Sequence, residues 1–384
     1  MKKNDYSGLF LLPTLIVLGN SMYVPLLPVI QQTYAFTQTE STWFLSTFTL
    51  AGVVAIPFAQ QLARRTNIRK AMVISCFLVM VGSLVNVWAQ MNEAATLLFA
   101  GRIVSGMGAG GATSLAYTYA GAFAKGNEKL VLFGRLELSN GIAKVSSPLI
   151  GSLLLYLSWT LSPYLFLLLA VGSIFFVWRN IGPLKWENPK VGQRSFRRYF
   201  FVAASEYMLS LVHLFLLYGL FFYASYLFSL FGFSPAVRGV LLALPFLAMV
   251  LCSANIRFVA NVGQTAIRGV LLSLLLCCTL LLLFFSEQAI VLCIVLLICG
   301  GCTGVALPLA SNALGEKTAG AVRERLIAYL SMARFLSIAA APLFYQMWIG
   351  NGMVALGSLV AVLAASFIIG ICLHREKNQH ITQI

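Results

Sequence analysis

Arg102, Glu137, Lys144, Glu206, His213 and Arg334 are ionisable residues standing inside long apolar stretches of this 384-residue chain. A charge set in apolar sequence is costly, so such groups pair with one another or face an internal aqueous path. Glu137 and Glu206 are the two acids so placed. A carboxyl group shielded from water favours its protonated form, which makes both candidates for taking up and releasing a proton. The alternative is a carboxylate paired with Arg135 or Arg198. His213 follows Glu206 by seven residues, so both lie on one helix face. Imidazole titrates near neutral pH. A Glu206–His213 relay is one reading, and a histidine that only hydrogen-bonds is the other. Arg102, Lys144 and Arg334 outnumber the two acids, and surplus positive charge suits an anionic or carboxylate-bearing zwitterionic ligand.

The elements that must position these groups follow from composition. The chain is 60% hydrophobic and 10% charged, with a mean hydropathy of +0.88. Soluble domains carry about 25% charged residues, so lipid is the solvent that fits. A spanning helix needs about 20 apolar residues. Twelve apolar runs are found, near 8–30, 41–63, 71–89, 95–123, 131–156, 161–178, 200–230, 237–256, 267–286, 288–311, 326–349 and 352–373. The expected fold is an all-α membrane protein, with twelve transmembrane helices in two pseudo-symmetric six-helix bundles.

Charge sets the orientation. With a cytoplasmic N-terminus, 21 of the 26 Lys and Arg residues fall on that side and one, Arg238, on the other. This alternation follows the positive-inside rule, and it places both termini in the cytoplasm. Basic loops of this kind point to a membrane surface, and nucleic acid is excluded as a partner. Trp43, Trp88, Trp159, Trp178 and Trp348 fall at run ends, as an aromatic belt requires. Residues 1–178 form the expected first bundle, 179–198 a basic cytoplasmic linker, and 199–384 the second bundle with a short tail. A shift of 194 residues places Gly106 on Gly300, Gly110 on Gly304 and Pro148 on Pro342. Duplicated halves of this kind are typical of transporters, with the substrate site near the midplane.

The eight cysteines all lie in apolar runs. They do not read as a disulfide framework, and Cys299-Gly-Gly-Cys302 reads as small residues for close helix contact. No metal, nucleotide or flavin motif appears, so no cofactor is expected. The three histidines, two of them in the tail, do not converge with acids as an enzyme would need, and no signalling domain is present.

Several segments resemble the major facilitator superfamily, in particular its twelve-helix drug:proton antiporter branch. Pro25-Leu-Leu-Pro28 is similar to a P-x-L-P segment in the first helix. Gln60 to Lys70 occupies the place of the signature G-x-L-A-D-R-x-G-R-R/K, but Arg64 stands where that signature has Asp. Arg69 keeps a basic position of this loop, to which a gating role is assigned. Arg102-Ile-Val-Ser-Gly106-Met-Gly108-Ala-Gly110 resembles R-x-x-x-G-x-G-x-G, in which the arginine is linked to proton coupling. Ala143-x-x-x-Ser147-Pro148-x-x-Gly151-Ser152 resembles the antiporter segment G-x-x-x-G-P-x-x-G-G with small residues kept. Gly106, Gly110, Ser147, Pro148 and Gly151 are assigned gating or packing roles.

The resemblance implies proton-coupled efflux of a small molecule by alternating access of the two halves, from the plasma membrane and as a monomer. Import or uniport of a small anionic metabolite is the alternative. Exporters of cationic drugs in this branch rely on buried acids, yet the first run contains none, and Asn20 is its deepest polar residue. The expected cavity residues are Asn20, Arg102, Lys144, His213 and Arg334. The expected proton-coupling residues are Glu137, Glu206 and Arg102. The substrate is expected to be a drug, metallophore-like or sugar-like compound.

Overall fold

In the computed structural model, residues 6–123, 126–185, 203–256, 263–285, 288–317, 320–347, 356–366 and 368–369 are described. They form helices α1 (Ser7–Ser21), α2 (Leu27–Thr33), α3 (Gln38–Arg65), α4 (Ile68–Met91), α5 (Ala95–Phe123), α6 (Gly126–Leu157) and α7 (Ser162–Asn180). These are followed by α8 (Ala204–Leu230), α9 (Pro235–Ala254), α10 (Gln264–Phe285), α11 (Ala289–Lys317), α12 (Gly320–Gln346) and α13 (Leu356–Ser366). With α1 and α2 counted as one interrupted span, the described helices make the twelve of the expected all-α fold. Most of the linker, the end of the last run and the tail lie outside the described residues.

Seven helices are long and apolar enough to cross a membrane by length and composition: α3, α4, α7, α8, α9, α10 and α11. The equally long α5, α6 and α12 are the helices that carry Arg102, Lys144 and Arg334.

The first span is not one helix. Pro25 and Pro28 have no N–H to give the carbonyls four residues earlier, so α1 stops at Ser21 and α2 begins at Leu27. The connection after α3 is also shorter than the sequence suggests. Thr37 and Glu40 form a capping box that starts α3. Asn67 Oδ1 accepts from the Lys70 N–H at 2.8 Å and starts α4 at Ile68. Thr66 and Asn67 alone separate the two helices, so Arg64 and Arg69 sit on helices and not in a loop.

The chain divides into two compact units: Met1–Asn188 with Gly232–Ala243, and Pro189–Phe231 with Leu244–Ile384. In the first unit, α5 packs on α4, α3 and α1, and α7 packs on α4 and α1. In the second, α8 packs on α12 and α11, and α10 on α11. The first turns of α9 belong to the first unit because Gly239 admits Ser152 of α6. A Cβ there would stand 2.7 Å from the serine Cβ.

Each unit contains the same tight crossing. A Cβ added at Gly106 or Gly110 of α5 would run into the carbonyl oxygens of Phe48 and Gly52 on α3. A Cβ at Gly300 or Gly304 of α11 would run into those of Pro245 and Met249 on α9. Two glycines one turn apart thus bring helix against backbone in both halves. These are the glycines that the 194-residue shift superimposes.

Candidate functional site

Within the first unit, Arg102 on α5 is 1% exposed. Its Nε donates to the Phe44 carbonyl of α3 at 3.2 Å and one terminal nitrogen donates to the Gly19 carbonyl of α1 at 2.5 Å. The interruption of α1 makes the second bond available. Met22 N–H bonds to Leu18 and Tyr23 N–H bonds to Asn20, which leaves the Gly19 carbonyl outside the helical ladder. Three rings enclose the guanidinium, with centroids at 4.5 Å (Tyr23), 4.9 Å (Phe44) and 4.3 Å (Phe48). Cation–π attraction and charge-assisted bonds offset the desolvation of a buried arginine. The second terminal nitrogen has no hydrogen-bond partner. No carboxylate among the described residues pairs with Arg102, so its charge is solvated by dipoles and rings and is not neutralised.

Asn20 is buried beside this break in α1. Gly151 of α6 faces it too, since a Cβ there would collide with the Met22 carbonyl and the Pro25 ring. Ser147 is fully buried and its hydroxyl donates to the Lys144 carbonyl at 3.2 Å. Lys144 is half-buried on the same helix. Glu137 is exposed and accepts from the Tyr117 hydroxyl at 3.0 Å. The expectation of a buried acid at this position is therefore corrected. Exposed Arg135 is two residues away and so on a different side of α6.

Within the second unit, Glu206 is fully buried and its Oε1 lies 2.6 Å from the Arg268 guanidinium nitrogen, itself 5% exposed. Ser205 donates to the other carboxylate oxygen. Arg268 is among the 21 basic residues counted on the cytoplasmic side, and Arg135 or Arg198 is the partner expected from the sequence. Instead α10 begins at Gln264 and carries Arg268 into the packed interior. His213 is fully buried, and its Nδ1 donates to the Leu209 carbonyl at 2.7 Å. That bond puts the hydrogen on Nδ1, and Nε2 has no partner. The shared face of Glu206 and His213 is real, but the hydrogen bonds shown for each run elsewhere. Arg334 of α12 donates to Ser210 of α8 at 3.1 Å, and to the Leu307 carbonyl and Ser311 of α11 at 2.8 and 3.1 Å.

Sequence reasoning missed Arg268, the cage of Tyr23, Phe44 and Phe48, and the hydroxyls around Arg334. The four-residue spacing of Phe44 and Phe48 was a usable signal, because it places both rings on one face. Arg268 gave no signal, since a basic residue at the edge of an apolar run reads as topogenic. Among the described residues no group of three or more His, Cys, Asp and Glu could hold a metal.

Comparison with known proteins bears on this arrangement. The bacillibactin exporter of Bacillus subtilis (strain 168) is 30% identical over 152 residues, which are 38% of this chain and 38% of that protein. Protein SGE1 of Saccharomyces cerevisiae is 29% identical over 136 residues, 35% of this chain and 24% of that one. The chain thus matches well under half the length of these relatives. Among solved structures, the D-xylose-proton symporter has a TM-score of 0.76 at 14% identity, covering 94% of this chain and 96% of that one. The human organic anion transporter MFSD10 (TETRAN) has a TM-score of 0.71 at 17% identity, covering 94% and 98%. At these identities the likeness is one of fold. A family model, Major Facilitator Superfamily, matches residues 9–342. With that match running over most of its length, this multi-pass membrane protein belongs to the Major Facilitator Superfamily.

Proposed function

We propose that this transporter exports a small anionic or zwitterionic molecule in exchange for protons. The observation that carries the proposal is the Arg102 charge, fully buried and held only by carbonyls and rings. A positive charge without a buried counter-ion favours a negatively charged ligand group. Glu206 is the one fully buried acid among the described residues. It changes charge as its bond to Arg268 opens and closes. His213 and the exposed Glu137 assist in proton movement, while Asn20, Lys144 and Arg334 contribute polar contacts to the substrate. Outward direction is supported by the relative named an exporter and by the small-residue segment from Ala143 to Ser152.

Alternating access is assigned to residues 1–178 and 199–384, joined by 179–198. Arg69, Gly106, Gly110, Ser147, Pro148 and Gly151 serve gating and packing. The protein works as a monomer in the plasma membrane with both termini cytoplasmic, on a drug, metallophore-like or sugar-like compound.

The test uses proteoliposomes with an imposed pH gradient and a panel of labelled organic anions. Substrate and protons are expected to cross in opposite directions. Movement of both in the same direction would instead establish import, and substrate flux indifferent to the gradient would establish uniport.

A further inference from the structure

On the outer face of the first unit, α4 and α7 enclose an apolar groove of about 650 Å³. Its walls are Phe77 and Met80 of α4 and Val171, Ile174, Phe175 and Trp178 of α7, and Arg179 closes one end. The α7 residues recur at three- and four-residue intervals and so form one stripe. The helices run antiparallel, because Ile68 at the start of α4 donates to the Leu184 carbonyl just past α7 at 3.0 Å. Arg69 of α4 lies over the Trp178 ring at 4.6 Å and its Nε has no hydrogen-bond partner. Lys70 and Arg179 are exposed beside it.

The geometry selects one kind of occupant. From Arg69 to Met80 is about 17 Å of helix, and from Val171 to Trp178 about 10 Å. One leaflet of hydrocarbon is about 15 Å deep, half of a bilayer core. The apolar lining below Trp178 therefore fits within a single leaflet, with the cations and tryptophan at headgroup level. Apolar length below and unsatisfied positive charge above match a lipid whose headgroup is anionic.

We propose that this groove binds one anionic phospholipid, its acyl chain lying along Phe77, Met80, Val171 and Phe175 and its phosphate held by Arg69 and Arg179. The purified full chain in detergent is titrated with phosphatidylglycerol or phosphatidylcholine of the same acyl chains, and bound lipid is counted by native mass spectrometry. One phosphatidylglycerol is expected to be retained at a concentration about fivefold lower than phosphatidylcholine, a preference set by headgroup charge. Arg69→Gln/Arg179→Gln is expected to erase the preference, and Lys185→Gln, which removes a nearby charge outside the groove, to keep it. Val171→Trp, which fills the groove and leaves every charge in place, is expected to lower retention. Equal retention of the two lipids by the unaltered protein, full retention by Val171→Trp, or a loss in Lys185→Gln equal to that of the double variant would each overturn the proposal.

Discussion

Glu206 and Arg268 lie 62 positions apart in the chain, yet a 2.6 Å contact joins their side chains in the interior of the second unit. Removing one member of a buried pair strands a charge and costs about 3–5 kcal/mol, whereas replacing both with well-packed apolar groups is often neutral. Arg268→Ala is expected to lose about that much stability, and Glu206→Leu/Arg268→Met to recover most of it. Thermal or denaturant unfolding of the purified protein in detergent checks the pair. Equal losses in the single and double variants would show that the contact does not couple the two residues.

Arg102 is expected to be irreplaceable by lysine. Lysine retains the charge but lacks the planar fork that reaches two carbonyls and stacks on rings. Arg102→Lys should lose about 1.5–3 kcal/mol, the range for a bond to a charged group, together with substrate transport. Phe48→Leu, which removes the nearest ring at 4.3 Å, should cost about 2 kcal/mol from cation–π attraction alone. Unfolding and transport measured on the same preparations separate the two effects.

Gly106 and Gly172 offer a matched comparison on two helices of one unit. Gly106→Ala forces a methyl group into the Phe48 carbonyl, while a Cβ at Gly172 meets nothing within 4 Å. The first substitution is expected to cost about 1–3 kcal/mol through overpacking. The second should gain about 0.5–1 kcal/mol from helix propensity. Unfolding curves of the two single variants give the sign directly.

Glu137 and Glu206 should differ in transport as they differ in burial. Glu137→Gln alters an exposed residue bonded to Tyr117, and surface changes of this kind stay within about 0.5 kcal/mol. With the fold left intact, its assisting role should show as a partial loss of pH-gradient-driven transport of about three- to tenfold, a rate effect of about 0.7–1.4 kcal/mol. Glu206→Gln should abolish the response to the gradient. Radiotracer flux in proteoliposomes at fixed outer pH and varied inner pH distinguishes them, and the reverse ranking would move the proton-carrying role to Glu137.

The spans were legible because apolar run length is nearly a direct measure of bilayer thickness, and the repeat was legible because Gly106, Gly110, Gly300 and Gly304 can be compared by register alone. Arg102 announced itself by standing inside an apolar run. Its surroundings did not, because Tyr23, Phe44 and Phe48 look like any other lipid-facing or core aromatics until helices cross. Arg268 was hidden for a related reason. Charge at the edge of a span reads as topology, and only the third dimension shows whether it turns toward water or toward a buried carboxylate. Glu137 erred in the opposite direction. Periodicity placed it on a helix without telling which side of that helix is covered.

The crossing of α3 with α5, repeated by α9 with α11, constrains how each pair can move. Where glycine Cα atoms rest against facing carbonyls there is no side chain to change rotamer and no slack along the axis. Sliding would drive the neighbouring buried Ala109 toward the facing backbone, while a small rotation about the contact point would leave it intact. Each unit therefore carries one tight contact point in its helix pair, and a rotation about it would move the outer ends of the helices farther than their middles.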